Sequence, residues 1–196
     1  MANLRVMKRW LHRLRYAGVA AALGGWLVIL AAISRNPWFV FTENAFSDLG
    51  HPGAIDPWVF NVGMMVNGLL IVLYSLYLVA VSFNKAGAVG GGFMAITGVF
   101  LVLIGVFHEG SPHHYFVSVW FFTQAGLTVL VWGLALFREA RWRRIGWGFL
   151  GFSLLGSAGA LVVPWPSIAV AEAYGILVID VWVALMSVVT PYFTDA

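Results

Sequence analysis

The sequence predicts an all-α, polytopic membrane protein: a single bundle of six transmembrane helices with both termini in the cytoplasm. Three observations lead there. Hydrophobic residues make up 61% of the 196 and charged residues only 10%, against about 45–50% and about 25% in soluble domains. The apolar residues gather in six runs, apolar on all faces and separated by short polar links. Helices satisfy their own backbone in lipid, whereas a β-barrel would need segments of about ten residues of alternating polarity. The third observation is charge asymmetry. Arg5, Lys8, Arg9, Arg13, Arg15, Lys85, Arg138, Arg141, Arg143 and Arg144 fall on one side of the alternating spans, and only Arg35 on the other. The positive-inside rule makes the first side cytoplasmic, in the cell membrane. The net charge of +3 is then a topological signal, which argues against nucleic acid as a partner. Cysteine is absent, so neither disulfides nor cysteine-ligated metal enter the argument.

Each element follows in order. Residues 1–15 form a basic, weakly amphipathic lead-in suited to an anionic membrane surface. Span 1, residues 16–33, exceeds the apolar core of about 7–15 residues in a cleaved signal, and reads as a retained signal-anchor. A polar loop runs from 34 to 57. Span 2 covers 58–83, Asn84-Lys85 makes a tight connection, and span 3 covers 87–107. The link 108–114 carries three histidines, and span 4 covers 114–137. A basic loop at 138–144 precedes span 5, residues 145–163. Pro164-Trp165-Pro166 ends that helix, because proline lacks the N–H donor and restricts the residue before it. Span 6 covers 171–189, and Pro191 is its expected terminator. Gly87/Gly91 and Gly156/Ser157/Gly159 suit close helix approach, and Asn67 and Gln124 suit interhelical hydrogen bonds. The ten tryptophans read mostly as interface anchors.

The stretch Thr42–Pro57 concentrates chemistry in a chain poor in charge: Glu43, Asn44, Ser47, Asp48, His51 and Asp56. With the orientation above, His51, His108, His113 and His114 reach the outer side together with Glu43, Asp48, Asp56, Glu109 and Glu172. Ser111 and Pro112 read as N-cap and first residue of span 4, which puts His113 and His114 in its first turn. The positive helix end keeps those rings neutral, able to bind a metal or act as a base. If residues 47–51 are helical, Ser47 and His51 share a face. His51, His108 and His113 or His114, three nitrogens with one or two carboxylates, would match a catalytic zinc with an open position. The same histidines could equally cap helices or meet lipid headgroups, and Ser47-Asp48 could simply form a turn. Asp180 sits inside the apolar run of span 6, where an ionisable group costs at least about 2.5 kcal/mol. It is expected to face a cavity or a partner such as Arg35 or an outer histidine.

The residues Asn44-Ala-Phe-Ser47-Asp48-Leu-Gly50, with Phe60-Asn61 opening the next span, resemble the six-span prokaryotic family called domain of unknown function 998. The layout, with a histidine at the start of span 4, is also similar to eukaryotic autophagy-modulator and GPI-anchor-remodelling membrane proteins. That likeness implies a role in lipid remodelling or membrane trafficking and carries over Ser47, Asp48, Gly50 and His114. A weaker likeness, through Ser47-x-x-x-His51, is to transmembrane hydrolases that include alkaline ceramidases. These have seven spans and a histidine pair in the last, whereas span 6 here has no histidine.

The expected function is action on a lipid or lipid-linked headgroup, by hydrolysis or acyl transfer, in an outward-facing pocket. Ser47, Asp48 and Asp180 are the candidate catalytic residues, and zinc on the four histidines is one version of the chemistry. The alternatives are a non-enzymatic lipid-binding or scaffold protein and, third, a small-solute transporter.

Overall fold

The computed structural model describes residues 11–193, and the first ten residues of the basic lead-in lie outside them. The described residues form six long helices: α1 (Arg15–Arg35), α2 (Trp58–Ala80), α3 (Lys85–Val106), α4 (His114–Phe137), α5 (Arg143–Val162) and α6 (Ile168–Val189). Single 3-10 turns occupy Phe46–Gly50 and Thr190–Phe193. All six helices are long and apolar enough to cross a membrane, so the chain is a multi-pass membrane protein.

Consecutive helices pack side by side from α1 to α5, and α6 returns to close against α1. The closest approach is between α2 and α3. A Cβ on Gly68 would lie 2.6 Å from the carbonyl oxygen of Gly98, and one on Gly98 would lie 2.7 Å from that of Gly68. Backbone meets backbone there, which suits van der Waals packing in a solvent as apolar as the side chains. Gly91 admits Val79, and Gly87 and Gly90 admit the ring of Trp132. Outward-facing residues such as Leu23, Leu27, Leu69, Leu155 and Leu161 are exposed and form the lipid-facing surface.

Several boundaries differ from the sequence reading for identifiable reasons. Helix α3 starts at Lys85 because the Asn84 side chain accepts the Gly87 N–H at 3.0 Å. Helix α6 starts at Ile168 because Ser167 Oγ accepts the Val170 N–H at 3.1 Å and donates to the Phe41 carbonyl at 2.7 Å. Helix α6 does end at Val189, just before Pro191 as expected, and beyond it the chain turns through Thr190–Phe193 and buries Phe193 against Phe83, Trp132 and Trp142. Ser111 and Pro112 do not cap α4. Gly110 adopts φ +89°, the 108–111 turn folds back, and His113 is the cap residue before His114. Trp132 and Trp182 are fully buried, so these tryptophans are core residues and not interface anchors.

Candidate functional site

The 36–57 loop is stitched to the bundle by a residue whose role the sequence did not reveal. Asn36 is 1% exposed. Its Nδ2 donates to the carbonyls of Ala32 and Ile55 at 2.9 and 3.1 Å. Its Oδ1 accepts the Trp38 indole N–H at 2.9 Å and the Ile55 N–H at 2.7 Å. Arg35 pairs with Asp56 at 2.7 Å, where Asp56 holds a positive φ of 50°. Asn44 closes another turn by accepting the Val40 N–H at 2.7 Å. With both ends pinned, Phe46 stacks between Phe39 and Phe41 and Ser47 is carried into the bundle mouth.

There the loop, the 107–113 link and the first turns of α4 and α6 enclose a chamber of about 600 Å³. Its polar wall holds Ser47, Asp48, Glu109, Ser111, His114, Ser118 and Glu172, and its apolar wall includes Phe122, Ala160, Ile168 and Gly175. Ser47 Oγ donates to Glu109 Oε2 at 3.3 Å. The same carboxylate oxygen lies 3.0 Å from His114 Nε2, and Ser118 Oγ lies 3.2 Å from that nitrogen. His114 Nδ1 is 2.8 Å from the Phe107 carbonyl oxygen. A carbonyl can only accept, so Nδ1 carries hydrogen, and the Nε2–Oε2 contact then needs a proton between them. That proton bridges the imidazole nitrogen and the carboxylate oxygen. Glu172 Oε2 accepts the Phe46 N–H at 2.7 Å, and Asp48 Oδ2 accepts the Ala45 N–H at 2.8 Å.

The structure therefore brings together Ser47, Asp48 and His114 of the expected set, and adds Glu109, Ser118 and Glu172. It separates the others. The Phe46–Gly50 segment is a 3-10 turn, whose three-residue period does not stack i on i+4. His51 thus leaves the Ser47 face, and its Nδ1 accepts the Gly53 N–H at 3.0 Å. His108 Nδ1 donates to the Glu109 carbonyl at 2.8 Å. The His113 ring packs edge-on against Phe107. Among the described residues no three His, Cys, Asp or Glu side chains converge as a metal site. Asp180 is also apart. It accepts the Trp26 indole N–H at 2.8 Å and lines a second, interior cavity, about 12 Å below Glu172 along α6 at about 1.5 Å per residue. Its partner is Trp26, not Arg35 or a histidine. Asn67 makes the expected interhelical bond, donating to the Ala21 carbonyl at 2.9 Å, whereas Gln124 Oε1 is buried without a partner.

Glu109 and Glu172 were visible in the sequence only as acids near one interface. Their convergence with Ser47 depends on three separate segments meeting, and no spacing encodes that. No curated protein and no solved structure matches this chain. A family model described as "Protein of unknown function (DUF998)" matches residues 19–189, a range that takes in most of α1, the other five helices whole and every chamber residue. The chain belongs to the DUF998 family.

Proposed function

We propose that this protein binds the headgroup of a membrane lipid in the Ser47–Glu109–His114 chamber and cleaves or transfers an acyl group there. The observation that carries the reading is the shared Glu109 oxygen, 3.3 Å from Ser47 Oγ and 3.0 Å from His114 Nε2, inside a chamber polar on one wall and apolar on the other. At about 600 Å³ it falls within the range of about 300–1,000 Å³ typical of small-ligand sites. Among the described residues Asp48, Glu109 and Glu172 line it and no Lys or Arg does, which favours headgroups bearing ammonium or hydroxyl groups over those whose only charge is anionic. A narrow cleft between α4, α5 and α6 shares Phe122, Ala160 and Gly175 with the chamber, so a lipid can approach sideways from the bilayer. The basic links support a chamber on the outer face of the cell membrane, with both termini cytoplasmic.

The chemistry balances with these residues alone. Ser47 Oγ adds to the acyl carbonyl carbon and gives its proton to the Glu109 carboxylate. The His114 imidazolium gives its Nε2 proton to the departing alcohol as the acyl–oxygen bond breaks. Water then attacks the acyl-serine and loses its proton to His114, while Glu109 returns its proton to Ser47. The pair ends with the one proton it began with. No step passes through a metal.

A binding role without turnover is the second reading, favoured because Ser47 faces a carboxylate and not the imidazole. The experiment is incubation of the purified protein in phosphatidylethanolamine or phosphatidylglycerol vesicles, with products followed by mass spectrometry. Lysolipid and free acid are expected from the wild type, fastest with phosphatidylethanolamine. Ser47→Ala is expected to slow release by at least about 100-fold, while a chelator changes nothing. Lipid bound without product in either protein would select the binding reading.

A further inference from the structure

We infer that the interior of the bundle is a hydrocarbon tunnel that takes one acyl chain of the lipid whose headgroup occupies the chamber; this rests on the reading above. Beneath the chamber, a small cavity shares Ser47, Ser118, Phe122 and Glu172 with it. That cavity in turn shares Ile29, Met64, Leu101, Phe121 and Ile176 with a deeper one. The three form a continuous series from the polar mouth into the centre of the bundle. The deep cavity is walled almost wholly by apolar atoms, and Gly18, Ala21, Ala22 and Gly25 of α1 leave the room by withholding side chains.

The length of the path matches its proposed occupant. From Ile29 to Gly18, α1 descends about 16 Å at about 1.5 Å per residue. One leaflet is half of a hydrocarbon core of about 30 Å, so the tunnel is as deep as a chain is long. A solute following this path would meet three polar side chains on the deep cavity, Asn67, Tyr74 and Asp180. Asn67 and Asp180 are already engaged, with the Ala21 carbonyl and the Trp26 indole. An uncharged chain is the occupant this lining accepts.

The tunnel acts on specificity more than on affinity. A chain leaving the bilayer for an apolar channel gains little, because lipid tails are as apolar as the wall. What the closed end adds is a limit on length and branching. Ile176, between the upper and lower cavities, is the constriction a chain must pass.

The test uses vesicles holding phosphatidylethanolamine with a photoactivatable diazirine at the chain end, and maps the cross-links by mass spectrometry. Wild-type protein is expected to be labelled at Met64, Ile71 or Met94. Ile176→Trp is expected to lose that labelling by at least about tenfold, while Leu23, Leu69 and Leu155 on the lipid-facing surface label as before. Ala22→Phe, which fills the lower cavity, gives the same result with the constriction intact. Labelling confined to lipid-facing residues in the wild type, or unchanged interior labelling in both variants, overturns the tunnel. Diacylglycerol with the same diazirine chain separates this from the headgroup reading. If it labels the interior as strongly as phosphatidylethanolamine, the chamber does not select a headgroup, yet the tunnel stands.

Discussion

Glu109 Oε2 and His114 Nε2 lie 3.0 Å apart, with the other imidazole nitrogen committed to the Phe107 carbonyl. This contact ties the 107–113 link to the first residue of α4 and sets a proton at the chamber wall. A carboxylate–imidazole pair in which each partner positions the other behaves as one unit.

The first prediction follows from that unity. Glu109→Gln and His114→Asn each remove the carrier of the shared proton and should lower turnover by about 100-fold or more. The double variant should be little worse than either single one, because residues that act as a unit are not additive. Rates for all four proteins, with folding monitored by thermal denaturation in detergent, check this. Multiplicative losses would mean that the two residues do not act as one unit.

The loop anchor gives a second prediction. Asn36→Ala strands the Trp38 indole N–H and the Ile55 N–H, both of which now meet Asn36 Oδ1. Leaving a buried donor unpaired costs about 1–3 kcal/mol. The variant should melt earlier and its 36–57 loop should be cut faster by protease, with Ser47 losing its position and turnover falling too. Asn36→Asp keeps the two acceptor contacts and should lie between Asn36→Ala and the wild type.

Asp180 supplies a third. Asn in its place still accepts the Trp26 N–H, so Asp180→Asn should change stability by no more than about 1 kcal/mol and leave turnover unaltered. Trp26→Phe leaves the carboxyl facing an apolar cavity without its donor and should be the more destabilising change. A large loss of activity in a stable Asp180→Asn protein would return this residue to the catalytic set.

How much of this was legible beforehand depends on the range of the interaction. The six spans were legible because lipid imposes a local rule: every backbone group must be satisfied within its own segment. Their boundaries shifted where a single side chain decided them, as with Asn84 and Ser167 each accepting the N–H three residues on. The Asn44–Gly50 motif was legible as a polar insert in an apolar chain, and two of its residues, Ser47 and Asp48, line the chamber. Of the four outer histidines only His114 lines the chamber, because proximity in sequence does not ensure convergence. A 3-10 turn at Phe46–Gly50 and the positive φ of Gly110 send His51 and His113 to different neighbours.

By itself, then, the sequence determined the class of solvent, the number of spans and the end of the bundle where polar chemistry gathers. These follow from composition and periodicity, which act along the chain. Only the tertiary structure decided which polar residues meet. Glu109, Glu172 and Ser118 join Ser47 and His114 because the loop, the link and helices α4 and α6 are folded onto one another. Trp132 and Trp182 are buried for the same reason, since glycines on a neighbouring helix and the closure of the bundle make room for them. Contacts between segments far apart in the chain depend on shape complementarity, which hydropathy does not encode.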